Sequence, residues 1–270
     1  MNVKLTLSYD GTDFYGFQAQ EGLPTVAGEI EKALQKILGE VPEIVCAGRT
    51  DKGVHADGQV INFHTSLDKM KEYNWLRALN SILPRSVRIT QCEFMPDEWS
   101  ARFDAKAREY LYHLVNQRFP DARRMRFASF CYYDLDVELL NQYCQYLVGE
   151  HDFTSFCAAD DPSRTKIRQI YKLDTMRNDD LVTLRVIGSA FLHNMVRIIT
   201  GTLLTLYRKG EPPIRMKEIL DGQNRQLARD TISPTAWSLK KFIMTKRRFR
   251  NDKRTARIFK VTTFTAGICG

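Results

Sequence analysis

The sequence predicts an α+β chain in which one β-α-β-β-α-β order occurs twice. Three observations lead there: apolar alternation at period two, apolar spacing at period 3.6 behind capping residues, and the same succession of both in each half. At 270 residues and 43% hydrophobic content, the chain can bury one large core or two ordinary ones. That composition excludes a disordered tail, a small disulfide scaffold and a coiled coil.

In the first half, Val3, Leu5, Leu7 and Tyr9 share one face of a strand over residues 3 to 9. Beyond a glycine-containing turn, Val26, Ile30, Ala33, Leu34, Ile37 and Leu38 recur at helical spacing behind Thr25, whose hydroxyl suits an N-cap. Short strands are expected over residues 43 to 49 and 58 to 64, joined by the loop TDKGVHAD. A helix over residues 67 to 83 stops at Pro84, whose ring cannot continue it, and a strand over 87 to 94 follows.

The second half repeats the order. It has a strand over 109 to 115, a helix over 137 to 147 behind Asp136, and strands over 167 to 176 and 181 to 187. A helix over 192 to 206 and a last strand near 237 to 243 complete it. The expected fold is therefore two tandem ferredoxin-like (RRM-like) halves sharing a long, mostly antiparallel sheet, with the helices on one face. Residues 1–105 form the first half, 106–245 the second, and 246–270 a basic tail. The seam between the halves is wide enough for a folded RNA.

Charge is unevenly placed. The net charge is +8, yet ten basic residues and one acid between Lys240 and Lys260 make a local +9, which leaves the rest of the chain at −1. The excess is a property of the C-terminus and does not argue that the body binds nucleic acid. Three local clusters, Arg102, Lys106 and Arg108; Arg118, Arg123, Arg124 and Arg126; Arg164, Lys166 and Arg168, are either solvated faces or RNA contacts. No apolar run approaches a membrane span, and the first residues alternate like a strand instead of forming a signal peptide, so a cytoplasmic protein is expected. Six scattered cysteines form no C-x-x-C pair and five histidines have no ligand spacing, so no metal site is expected.

Residues 47 to 56 read A-G-R-T-D-K-G-V-H-A, which sets Asp51 on a loop between two strands. By composition that loop is an Asx-type turn, and by position it is also where catalytic side chains are presented. The decapeptide closely resembles the catalytic motif of the TruA family of tRNA pseudouridine synthases, G-R-T-D-x-G-V-H-A. Five further blocks resemble the same family: Tyr9-Asp10-Gly11-Thr12 with Phe14, Gly16, Phe17 and Gln18; the helix from Thr25 to Leu34; Ala101-Arg102-Phe103-Asp104-Ala105 through Tyr112; Asp152 to Phe156; and Phe191 to Arg197, the last two in the right order.

What the resemblance implies is specific. Asp51 becomes the essential catalytic aspartate, Arg197 the cation paired with it, Tyr110 the ring that stacks on the target base, and Arg49 an RNA contact that helps displace the nucleotide. Arg197 sits among Met195, Ile198 and Ile199 on an apolar helix, where a charge needs a partner, and Asp51 is the candidate. Tyr110 shares a strand face with Tyr112 and Leu114, so without the resemblance it reads as core. The five histidines read as structural or solvent-facing. The implied activity isomerises uridine to pseudouridine at positions 38 to 40 of the tRNA anticodon stem-loop. The reaction involves no net redox change and needs no cofactor, and the family acts as a homodimer in which one tRNA touches both subunits. The rival reading is a catalytically silent RNA-binding protein with two RRM-like halves, and it lacks RNP-type strands.

The resemblance departs at the C-terminus. The family closes with A-G-x-T-A-P-x-G-L-x-L, and Ile232-Ser233-Pro234-Thr235-Ala236 fits its start, but Trp237-Ser238-Leu239 does not. The basic run beyond is either an RNA-binding arm or the product of a shifted reading frame. The second is preferred because the charge imbalance begins almost at once. It carries the expectation that Phe242, Ile243, Phe249, Ile258 and Phe259, interleaved with charge without a consistent period, pack poorly, and it leaves open whether Leu239 walls the pocket.

Overall fold

The computed structural model describes residues 1–119, 121–229 and 231–244; the expected tail over 246–270 lies outside them. The first half contains β1 (Asn2–Tyr9), α1 (Val26–Leu38), β2 (Val45–Cys46), β3 (His55–His64), α2 (Glu72–Ile82) and β4 (Val87–Met95). The second contains β5 (Ala105–Asn116), β6 (Ser129–Cys131), α3 (Val137–Gln145), β7 (Gly149–Asp152) and β8 (Ile167–Asn178). It continues with β9 (Leu181–Gly188), α4 (Met195–Lys209), α5 (Ile214–Asp221) and β10 (Trp237–Met244).

One ten-stranded sheet runs β4-β1-β3-β10-β5-β9-β8-β7, with β2 also paired to β3 and β6 to β5. The ferredoxin-like strand order is present twice, as β4-β1-β3-β2 and as β10-β5-β9-β8. The halves meet where β10 runs parallel to β3, with Ser238 opposite His55 and Leu239 opposite Ala56. The other end of the same edge of β3 pairs with β2, through Asn62 and Ile61. A strand edge offers a single row of N–H and C=O groups, so β2 stops where β10 takes over. Residues 47–54 leave the sheet at that junction, which sets their loop at the seam.

The helices lie on one face. Leu5 faces Ile61, and the line Ala56, Leu239, Tyr110, Val186, Leu173 crosses the seam on the same side of the sheet. One core packs Leu5 and Ile61 under Ile30, Leu34, Trp75 and Leu79 of α1 and α2. The other packs Leu173 and Val186 under Leu140, Tyr143, Ile199 and Leu203 of α3 and α4. Thr25 caps α1 through a bond from Gly28 N to its hydroxyl at 3.2 Å, and Asp136 caps α3.

Several boundaries differ from expectation for local reasons. Helix α2 begins at Glu72, because the Thr65 hydroxyl draws the Leu67 N–H into a turn at 3.1 Å. Helix α4 begins at Met195, because Asn194 adopts φ +59°, outside helical space. Strand β3 begins at His55, since β10 pairs with that end of it, so the predicted loop is shorter. Elements α5, β6 and β7 have no counterpart among the expected ones.

The expectation of poor packing is overturned for Phe242, whereas Ile243 is 44% exposed and Phe249, Ile258 and Phe259 lie outside the described residues. Trp237, Leu239 and Phe242 are 2%, 0% and 7% exposed, and they fill the seam between the two cores. The five described cysteines are free thiols. Among the described residues no helix is long and apolar enough to cross a membrane.

Candidate active site

The loop that presents Asp51 has no regular structure and is fastened by its backbone. Ala47 O accepts from Arg108 Nη2 at 3.1 Å and Gly48 O from Gln59 Nε2 at 2.9 Å. Thr50 O accepts from Phe17 N at 3.0 Å, Gly53 N donates to Phe14 O at 3.3 Å, and Val54 N donates to Asp51 O at 3.2 Å. The Thr50 hydroxyl lies 2.7 Å from Tyr9 Oη. Burial pushes the Tyr9 phenol up, although its hydrogen bonds with Thr50 and Gln59 oppose the rise, so it stays protonated.

Two glycines permit this fastening. A Cβ on Gly11 would lie 2.0 Å from Val54 O, closer than any real contact allows. Gly16 has φ +94°, and its Cβ would fall 2.8 Å from Thr50 O. The glycines of the Tyr9-to-Gln18 block are there so that the first turn can lie directly on the Asp51 loop.

The second half supplies the cation. Arg197, in the first turn of α4, donates from Nε to Ile232 O at 3.0 Å and from Nη1 to Asn194 Oδ1 at 2.6 Å. The same Nη1 lies 3.7 Å from Asp51 Oδ2, within ion-pair range but beyond a hydrogen bond. The side chains are 21% and 43% exposed, so this is not the buried pair that the apolar helix led one to expect. Buried His55 clasps the same seam. Nε2 lies 3.0 Å from the carbonyl of Thr235, while Nδ1 faces Gly11 N at 3.1 Å and Asp10 Oδ1 at 3.2 Å. Both of its ring nitrogens are thereby engaged.

Asp51 and Arg197 line an open cleft of about 600 Å³ together with Arg49, Lys52, His193 and Asn194. Arg49 is exposed there and makes no hydrogen bond or ion pair with the described residues. Three cations around one carboxylate make the cleft suited to a phosphate backbone. A larger cleft of about 800 Å³ beside the start of α1, at Gln20, Glu21 and Glu29, brings together no such grouping.

Tyr110 lies behind the cleft and is not among its lining residues. It touches both cores and meets Phe191 edge-on at 5.5 Å and Trp237 at 6.4 Å. Burial pushes its phenol up to about 12; Arg108 opposes that rise, and the Asp51 charge adds to it. Leu239, left open by the sequence, is opposite Tyr110 in the sheet and fully buried.

The basic clusters are partly spent inside the molecule. Arg108 donates to the carbonyls of Ala47 and Ser189, Arg124 pairs with Asp180, Arg126 with Asp10 and Asp13, and Lys166 with Asp161. Sequence reasoning gave no role to Asn194 or Asp161. The signal for Asn194 was an asparagine directly before an apolar helix, since Asn is the non-glycine residue most at ease with positive φ.

A model of the family described as tRNA pseudouridine synthase matches residues 6–104 and 143–242. The second match runs past Ala236, so the departure read there begins later. A protein of Brachyspira hyodysenteriae named tRNA pseudouridine synthase A is 45% identical over 228 residues, covering 84% of this chain and 92% of its own. A Bacillus subtilis protein of the same name is 42% identical over 231 residues, covering 84% and 93%. Among solved structures, a Cbf5-Nop10-Gar1 complex aligns with a TM-score of 0.41 and 11% identity over 76% of this chain and 44% of that one, too slight a likeness to carry an argument. On the span of the family match and on these identities, the chain belongs to the tRNA pseudouridine synthase family.

Proposed function

We propose that this chain isomerises uridine to pseudouridine in tRNA, at positions 38 to 40 of the anticodon stem-loop. The observation that carries the proposal is the Asp51 carboxylate, open to the cleft and 3.7 Å from Arg197. The reaction breaks the bond from uracil N1 to C1′, turns the base and joins C5 to C1′. C5 loses a proton and N1 gains one, so nothing is oxidised. One ionised carboxylate suffices, acting at C1′ as nucleophile or taking a proton from the sugar. Arg197 sets a positive charge beside it.

Arg49 contacts the RNA and helps turn the nucleotide out of the stem, at an unstacking cost of a few kcal/mol. Tyr110 serves as the stacking surface once the base enters, with the edge of Phe191 fixing the ring. Residues 1–105 act as the half carrying the carboxylate and 106–245 as the half carrying the cation. The working form is a cytoplasmic homodimer with one tRNA against both subunits. A silent RNA-binding protein has no use for an open carboxylate beside a tethered arginine.

The test is incubation with an unmodified tRNA transcript, followed by mapping of pseudouridine at single-nucleotide resolution. Conversion at positions 38 to 40, absent when those uridines are replaced by cytidine, is expected. No conversion, or conversion elsewhere only, overturns the proposal.

A further inference from the structure

We infer that Asn194 is a positioning residue whose neutral amide oxygen holds the Arg197 guanidinium beside Asp51 without letting it close onto the carboxylate. The inference rests on the catalytic reading of Asp51. Arg197 Nη1 is 2.6 Å from Asn194 Oδ1 and 3.7 Å from Asp51 Oδ2, so the amide, not the carboxylate, takes the hydrogen bond from the shared nitrogen. The Nε bond to Ile232 O at 3.0 Å fixes the other side of the guanidinium.

This division has a chemical consequence. A carboxylate gripped by a guanidinium has its oxygens engaged and is a poorer nucleophile or base. Held off by a neutral tether, Arg197 lends Asp51 its charge while both carboxylate oxygens stay free for the sugar. An acidic tether would share that charge and weaken the help it gives.

The backbone supports the assignment. Among the described residues, three that are not glycine have positive φ: Asp179, Asn194 and Gln223. Asn194 alone of these lines the cleft. As the residue before α4 it makes no side-chain cap, although asparagine is among the best capping residues. Its side chain goes to Arg197 instead.

Two substitutions test the role, both compatible with positive φ. Asn194→Gly removes the tether and keeps the backbone; Asn194→Asp keeps an acceptor in place but makes it anionic. Steady-state isomerisation of an unmodified tRNA transcript is measured alongside thermal unfolding, with Asp51→Asn as reference. Both variants are expected to unfold within a few degrees of wild type, to keep KM within about twofold and to lose about tenfold in kcat, the scale on which small misplacements of a catalytic group act. Activity near wild type in either variant overturns the neutral tether. A loss carried by KM instead of kcat also overturns it. Full turnover by Asp51→Asn instead removes the catalytic reading on which the inference rests, and the two failures are thereby told apart.

Discussion

The two halves share one strand order but hold their site residues in different ways. The first half carries Asp51 on an irregular loop fastened at Ala47, Gly48, Thr50, Gly53 and Val54 by separate hydrogen bonds. The second half carries Arg197 on a helix, where regular geometry does most of the placing and two side-chain bonds complete it. The carboxylate thus depends on many bonds of about 1 kcal/mol each, and no single one of them decides its position. The cation depends on few. Substitutions should therefore divide by half: in the first, only the carboxylate itself or a backbone clash has a large effect, whereas in the second single side chains tune the chemistry.

The largest effect is expected for Asp51→Asn. It should abolish isomerisation while tRNA affinity, carried by the basic cleft, stays within a few-fold. Loss of tritium from C5-labelled uridine in a tRNA transcript reports turnover, and a filter-binding titration reports affinity. Measurable tritium release would remove Asp51 from the chemistry.

Gly11→Ala comes next and probes the fastening. The added carbon has no room beside the Val54 carbonyl, so either the first turn or the loop must move. A destabilisation of about 3 kcal/mol or more in urea unfolding is expected, on the scale of overpacking in a close-packed interior. Thr50→Val, which removes one fastening bond and keeps the shape, should cost only about 1 kcal/mol. Equal costs for the two would break the picture of many weak fastenings around one tight contact.

Arg197→Met separates chemistry from stability. Both partners are partly exposed, so losing the ion pair itself costs about 1 kcal/mol or less, not the larger penalty of a buried pair. Activity should fall at least tenfold, while the urea midpoint shifts only slightly. A midpoint shift matching that of Gly11→Ala would mean that the cation serves the fold more than the reaction.

How much of this was legible follows from particular residues. Alternation located β1, β4, β8 and β9 to within a few residues, because each buries one face, and completing the repeat placed β10. Thr25 and Asp136 announced their helices, since capping is local chemistry. Asp51 and Arg197 were readable as candidates through the family motif. The early stop of β2 was not readable, because it depends on β10, nearly two hundred residues away, taking the edge of β3. Trp237 and Leu239 looked foreign to the motif, yet an apolar residue opposite Tyr112 or Tyr110 satisfies the seam whatever the motif says. The three basic clusters stayed open for a related reason: a sequence cannot show which arginines find acids within their own fold, as Arg124 and Arg126 do.

The smallest effect on turnover is expected at Asp161, the second half's own fastening, where stability is the readout. Its carboxylate, 2% exposed, accepts from Lys166 Nζ at 2.7 Å, Ser163 N at 2.9 Å and His193 N at 2.5 Å, and so anchors the turn that leads to Asn194. Burial alone would push its pKa up, but Lys166 and the two backbone donors outweigh burial and hold the carboxyl well below the usual range. A carboxyl depressed on folding stabilises the native state fully above its unfolded value, near 4. That contribution declines as pH drops below about 4 and is gone once pH falls through the folded value. Asp161→Asn keeps an acceptor but loses the charge, so it should cost about 1 to 2 kcal/mol at pH 7. The gap from wild type should be the same at pH 5 and smaller at pH 3, when both are unfolded in urea at each pH. A gap that persists or widens at pH 3 would show that packing, not the ionised carboxylate, fixes the turn. The second half would then hold its site by shape alone, and the contrast with the hydrogen-bonded loop of the first half would be sharper still.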